Sequence, residues 1–324
     1  MEIKYKKAVC YSGYRAGQSP VTGIVPAREQ ILEDLLLLRK AGFEYLRMYE
    51  PNEHARKTLE LIREHRLPFS VMVGIDPRAE YDNPGCPWRK KEKTAVELEE
   101  NRVYNTEQIR KLAQLSAEFQ EYFLAVSIGN ENRPDWGSDL VTEERLIEFA
   151  DDLRARTGLP VTYCEGAGEW RFLERLVAHL DFISIHSYPL WNRTGLSAAL
   201  EMNQRDYRAV SEKYPDKQVI FTECGWATEC NHSMDESQVG EEQQAEYLTE
   251  LTAWAEKERI PVFVFEAFDE PWKGGAAPDE PEKHWGIFRE DRTGKRFLLQ
   301  GNMSGKEERK SQEKTGEDSS GRTG

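Results

Sequence analysis

Short apolar runs alternate along this chain with longer amphipathic ones. "KAVCYSG" at 7–13 predicts a strand. "PAREQILEDLLLLRKAGF" at 26–43 predicts a helix with Ile31, Leu32, Leu35, Leu36 and Leu38 on one broad face and Gly42 as its stop. Further strands are predicted at 44–51, 68–77, 122–131, 160–166, 181–189, 218–226 and 261–272. Helices are predicted at 52–66, near 105–120, near 142–157, near 196–213 and at about 237–258, with "EWRFLERLVAHL" between the fifth and sixth strands. The segment 78–104, with Asn83, Pro84, Gly85, Pro87 and Trp88, is expected to be a long polar loop and one wall of a cleft. The strands are short and continuously apolar, as in a parallel sheet covered on both faces. Their number and spacing predict an α/β fold, a (β/α)8 TIM barrel formed as a single domain over 1–300. An open doubly wound sheet is the alternative, weakened because no GxGxxG follows the first strand. The segment 301–324 has Met303 as its one residue of the hydrophobic set, so a disordered polar tail is expected.

Composition narrows the function. The 324 residues are 39% hydrophobic and 31% charged, with a net charge of −14. That charge argues against nucleic acid, which calls for a basic face. No run is long and apolar enough to span a membrane. The N-terminal "MEIKYKKAVCYSGYR" lacks the apolar core of a signal peptide, so a cytoplasmic location is expected. The five cysteines show no zinc-type spacing and read as reduced thiols. A monomer without a cofactor is expected.

Barrel enzymes carry their chemistry at the C-terminal ends of the strands. Reading each strand to its tip gives Tyr11, Arg47, Tyr49, Asp76, Asn130, Glu131, Glu165, His186, Tyr188, Glu223, Trp226, Glu266, Asp269, Glu270, Trp272 and Lys273. This rim is rich in carboxylates and aromatics. Aromatic faces stack on the apolar faces of sugar rings, and carboxylates and amides bind hydroxyls. Of the six histidines only His186 lies near the rim and no HExxH occurs, so no metal site is expected. No GxSxG elbow suggests a serine nucleophile. Two carboxylates without a metal fit glycosidic bond cleavage. Glu131 and Glu223 fall on the fourth and seventh strands, whose tips can face each other across the barrel mouth.

The motifs "LRMYEPN" at 46–52, "VSIGNEN" at 126–132, "SIHSYPLW" at 184–191, "FTECGWAT" at 221–228, "FEAFDEPWK" at 265–273 and "EKHWGIF" at 282–288 resemble glycoside hydrolase family 17. They run in order from about residue 8 to 290. The resemblance implies a retaining enzyme acting on β-1,3-glucan, with Glu131 as acid/base and Glu223 as nucleophile. It implies supporting roles for Glu270 and Lys273 and cleft-lining roles for Tyr49 and Tyr188. The nearby Tyr11, Arg47, Asn130, His186, Trp226 and Trp272 are expected to contact substrate. Lys273 or a tyrosine hydroxyl is expected to keep Glu223 ionised. His186 departs from the Asn of many relatives, Cys224 replaces a Ser, and many relatives carry an export signal. Hydrolysis is the expected outcome. The alternatives are transfer to a sugar acceptor, a non-catalytic glucan-binding barrel, or a barrel enzyme acting on another glycan.

Overall fold

A computed structural model describes residues 2–300; the segment 301–324, expected to be a polar tail, lies outside the described residues. Eight parallel strands close into a barrel in chain order, β1 pairing with both β2 and β8. The strands are β1 Ala8–Cys10, β2 Tyr45–Met48, β3 Ser70–Gly74, β4 Phe123–Asn130, β5 Val161–Gly166, β6 Ile183–His186, β7 Val219–Gly225 and β8 Val262–Phe265. The doubly wound alternative is excluded by this closure. Nearly every strand residue is buried, because side chains facing inward fill the barrel and those facing outward meet helices.

The helices are α1 Arg28–Lys40, α2 Glu53–Glu64, α3 Ala95–Glu118, α4 Glu143–Thr157, α5 Glu174–Val177, α6 Leu196–Lys213 and α7 Glu241–Glu258. None of them is long and apolar enough to cross a membrane. On α1 the buried face is Ile31, Asp34, Leu35 and Leu38, whereas Leu36 is exposed. The buried acid Asp34 is held by Arg292 (2.8 Å) and Arg15 (2.9 Å), ties that no local pattern reveals.

The polar loop expected over 78–104 is shorter than that. Helix α3 begins at Ala95, where Thr94 and Glu97 form a reciprocal capping box. Val96 and Val103 on its first turns are exposed, so this part of the helix has no buried apolar stripe to announce it.

Three ladders shift register near the mouth of the barrel: β4–β5 between Ser127 and Asn130, β6–β7 between Ile185 and His186, and β7–β8 between Phe221 and Cys224. Such irregularities re-aim side chains. Gly225 lies where β7 meets β8, and a Cβ there would come within 2.0 Å of the Phe265 carbonyl oxygen, so only glycine fits.

Candidate active site

The mouth of the barrel opens into a cleft of about 1890 Å³, bordered by Asn130, Glu131, His186, Tyr188, Glu223 and Trp272 among others. Glu223, from β7, is almost fully buried at its floor. Its Oε1 accepts hydrogen bonds from the Arg47 guanidinium and from the Tyr49 hydroxyl (2.9 Å). Its Oε2 accepts from the Tyr188 hydroxyl at 2.6 Å. Arg47 also donates to Asn130 Oδ1 at 2.5 Å, which joins β2, β4 and β7 across the barrel.

Glu131 follows the last residue of β4 in the left-handed backbone region, with φ of 51°. Its amide donates to the Cys164 carbonyl (3.0 Å) on β5. The next residue fixes the turn: Asn132 Oδ1 accepts from the Asn130 amide (2.9 Å), and its Nδ2 donates to the carbonyls of Pro77 and Asp139. Glu131 thus projects into the cleft, and its Oε1 lies 2.8 Å from His186 Nδ1. The same nitrogen is 3.5 Å from Glu223 Oε2. One oxygen of each glutamate and a His186 ring nitrogen all lie within 4.8 Å of one another.

Burial by itself would push the Glu223 carboxyl up, but His186 and Arg47, with the Tyr188 hydrogen bond, bring it down to about 2. His186 is moved the other way. Burial works against its charge, yet Glu223, Cys164 and Glu131 raise it to about 10. The floor therefore holds an ionised Glu223 beside a charged imidazolium. Behind Glu131, burial and the Glu131 charge push Glu165 up to about 8. Its oxygens accept from the Tyr163 hydroxyl (2.6 Å) and the Gly166 amide (2.7 Å).

Glu131, His186 and Glu223 have the residue types of a metal-ligand set. Both oxygens of Glu223 are already engaged by Arg47, Tyr49 and Tyr188, so the cluster reads as a site for a proton rather than a cation.

Several of the expected substrate-contact and supporting residues have their polar groups engaged within the protein. Trp226 is fully buried, donates Nε1 to the Gln238 carbonyl (2.8 Å) and packs on Tyr247, away from the cleft. Strand alternation places it, with Cys224, on the face opposite Glu223. Arg47 is buried and engaged by Glu223 and Asn130. Glu270 is buried and accepts from Ser12 (2.6 Å) and the Tyr14 amide (2.9 Å). Tyr11 borders the cleft, but its hydroxyl donates to Asp34 at 3.3 Å. Lys273 reaches Glu266 (2.5 Å) and Glu270 (2.9 Å), so the cation facing Glu223 is Arg47 instead. Tyr49, Asn130, His186, Tyr188, Trp272 and Lys273 do border the cleft. Asn132 and Tyr163 escaped the sequence reading, though the second Asn of "GNEN" was a visible signal for one of them. All five cysteines are free thiols.

The fold is similar to that of an endo-laminarinase from Formosa Hel1_33_131, at 22% identity and a TM-score of 0.79, over 93% of this chain and 87% of that one. It is also similar to a glycoside hydrolase family 17 β-1,3-glucanosyltransferase from Rhizomucor miehei, at 19% identity and a TM-score of 0.69, over 90% and 96%. In sequence the chain is 24% identical over 218 residues to the "Probable glucan endo-1,3-beta-glucosidase btgC" of Aspergillus flavus, covering 60% of this chain. It spans about a third (31%) of the length of that relative. The family model of the BtgE/BtgC glycoside hydrolase domain matches residues 8–286. The chain belongs to the BtgE/BtgC glycoside hydrolase domain family.

Proposed function

We propose that this chain is a retaining glycosidase that cleaves β-1,3-glucan by double displacement. The observation that carries the reading is the carboxylate pair: oxygens of Glu131 and Glu223 approach within 4.8 Å. That suits the ~5–5.5 Å carboxyl separation of retaining enzymes rather than the ~6.5–9.5 Å of inverting ones. The β-1,3-glucan substrate is inferred from the relatives, whose names include endo-1,3-β-glucosidase and laminarinase.

In the first step Glu223 attacks the anomeric carbon while the glycosidic C–O bond breaks and Glu131 gives its proton to the leaving oxygen. Bonding to the sugar removes the negative charge of Glu223, the strongest interaction holding the proton on His186. The proton delivered to the leaving oxygen is therefore the one His186 releases along its Nδ1 hydrogen bond to Glu131 Oε1, so the first step ends with His186 neutral and Glu131 ionised. In the second step Glu131 accepts a proton from water, the water oxygen bonds to the anomeric carbon, and the ester to Glu223 breaks. Tyr188 and Arg47 receive the returning carboxylate. Trp272 offers a flat surface to the sugar, and its buried Nε1 has no hydrogen-bond partner among the described residues.

The test is product analysis on a linear β-1,3-glucan, with wild type beside Glu131→Gln and Glu223→Gln. Wild type should release reducing ends with the β-configuration, and each variant should lose at least about a thousandfold in kcat. Products longer than the substrate would assign transfer to a sugar in place of hydrolysis. Undiminished turnover by Glu223→Gln would overturn the covalent role.

A further inference from the structure

Two tryptophans outside the reacting centre stand on the wall of the same cleft. Trp88 lies in the loop between β3 and α3, and Trp136 in the loop between β4 and α4. The two loops are bound to each other. Asn83 Nδ2 donates to the carbonyls of Asp135 (2.6 Å) and Gly137 (2.8 Å), and Lys93 Nζ donates to the Ser138 carbonyl (2.8 Å). The Glu80 amide donates to the Leu140 carbonyl at 2.9 Å. These bonds bring the indoles together, with ring centroids 5.8 Å apart and planes inclined at 56°.

The pairing does not bury them. Trp88 remains 56% exposed and Trp136 44% exposed. Exposed indoles whose supporting loops are this firmly fixed are poorly explained by packing, and aromatic anchors of this kind recur where a ligand covers them. The inclination also suits a chain whose successive rings turn, as β-1,3-linked glucose units do, better than a flat ribbon.

The position of the pair tells which half of the substrate it meets. Trp136 shares its loop with Glu131, the group assigned to protonate the leaving oxygen. Glu223 bonds to the other half of the substrate, from the far side of the barrel mouth. The pair thus stands on the wall of the mouth whose β4–α4 loop also carries the group that protonates the leaving oxygen.

We propose that Trp88 and Trp136 form a platform for sugar units on the leaving-group side of the scissile bond. The inference rests on the glucan-cleaving reading above. It goes further in giving the loop after β3 a function and in assigning the same platform to any sugar acceptor of the second step.

The experiment compares kcat/KM on laminarihexaose with kcat/KM on an aryl β-laminaribioside, whose leaving group has no sugar. In Trp88→Ala/Trp136→Ala the ratio of the first to the second should fall about tenfold, the scale of losing two stacked contacts. Trp88→Phe/Trp136→Phe should recover most of the ratio, because a flat ring is kept. A ratio within twofold of wild type in the alanine variant would overturn the platform. So would equal losses on both substrates, the result expected of a folding defect or of a role on the other side of the bond. Wild type inactive on both substrates would instead refute the glucan-cleaving reading, and would be seen before any variant was made.

Discussion

His186 sits between the two glutamates, and its replacement separates their electrostatics. With the imidazolium present, the His186–Glu131 pair keeps a proton up to high pH, since His186 is raised to about 10. In His186→Asn that proton has no imidazole to reside on, so the alkaline limb of the kcat/KM profile should move to lower pH by at least about one unit. Arg47→Met acts on the opposite limb. Glu223 must be ionised to attack, and Arg47 is among the groups holding it down at about 2. Removing the cation raises Glu223, so the acid limb should move up by about one to three pH units. A pH–rate series on one soluble oligosaccharide checks both. Glu131 and Glu223 were legible because each ends a hydrophobic run with a carboxylate. The misplacement of Trp226 shows where that reading runs out. Proximity to a strand tip says which end of the barrel a residue occupies, while its face depends on alternation and on the local register shift.

At the scale of elements, apolar runs reported strands and helices well where a buried stripe existed. Helix α6 begins and ends where its pattern did, at Leu196 and Lys213. The start of α3 was lost because its first turns bury few apolar side chains, yet the Thr94-x-x-Glu97 capping box was present in the sequence. Thr94 Oγ1 accepts from the Glu97 amide (3.2 Å), and the Glu97 carboxylate accepts from the Thr94 amide (2.8 Å). Thr94→Ala should cost about 1 kcal/mol of stability and speed hydrogen exchange at the first amides of α3. Exchange unchanged across 95–98 would show that the loop bonds of Asn83 and Lys93, rather than the cap, hold this turn.

Across the whole molecule, the connections that close the barrel join residues far apart in the chain. Arg292, beyond β8, is buried against Asp34 of α1, with bonds of 2.8 and 3.0 Å, and also donates to the Gly13 carbonyl. Arg292→Ala would leave Asp34 with Arg15 as its remaining cation. The urea midpoint should fall by the equivalent of about 3 kcal/mol, the cost of breaking a buried pair. A partnership of this kind has no local signature, so the sequence could show α1 without showing what its acid was for. The barrel's circularity has one more consequence. A cut at the left-handed Gly158, between α4 and β5, would leave Arg47, Tyr49 and Glu131 on one piece and His186, Tyr188 and Glu223 on the other. Neither half-cylinder owns a complete reaction centre, so enzymatic output would be a bimolecular signal that the two pieces had found each other.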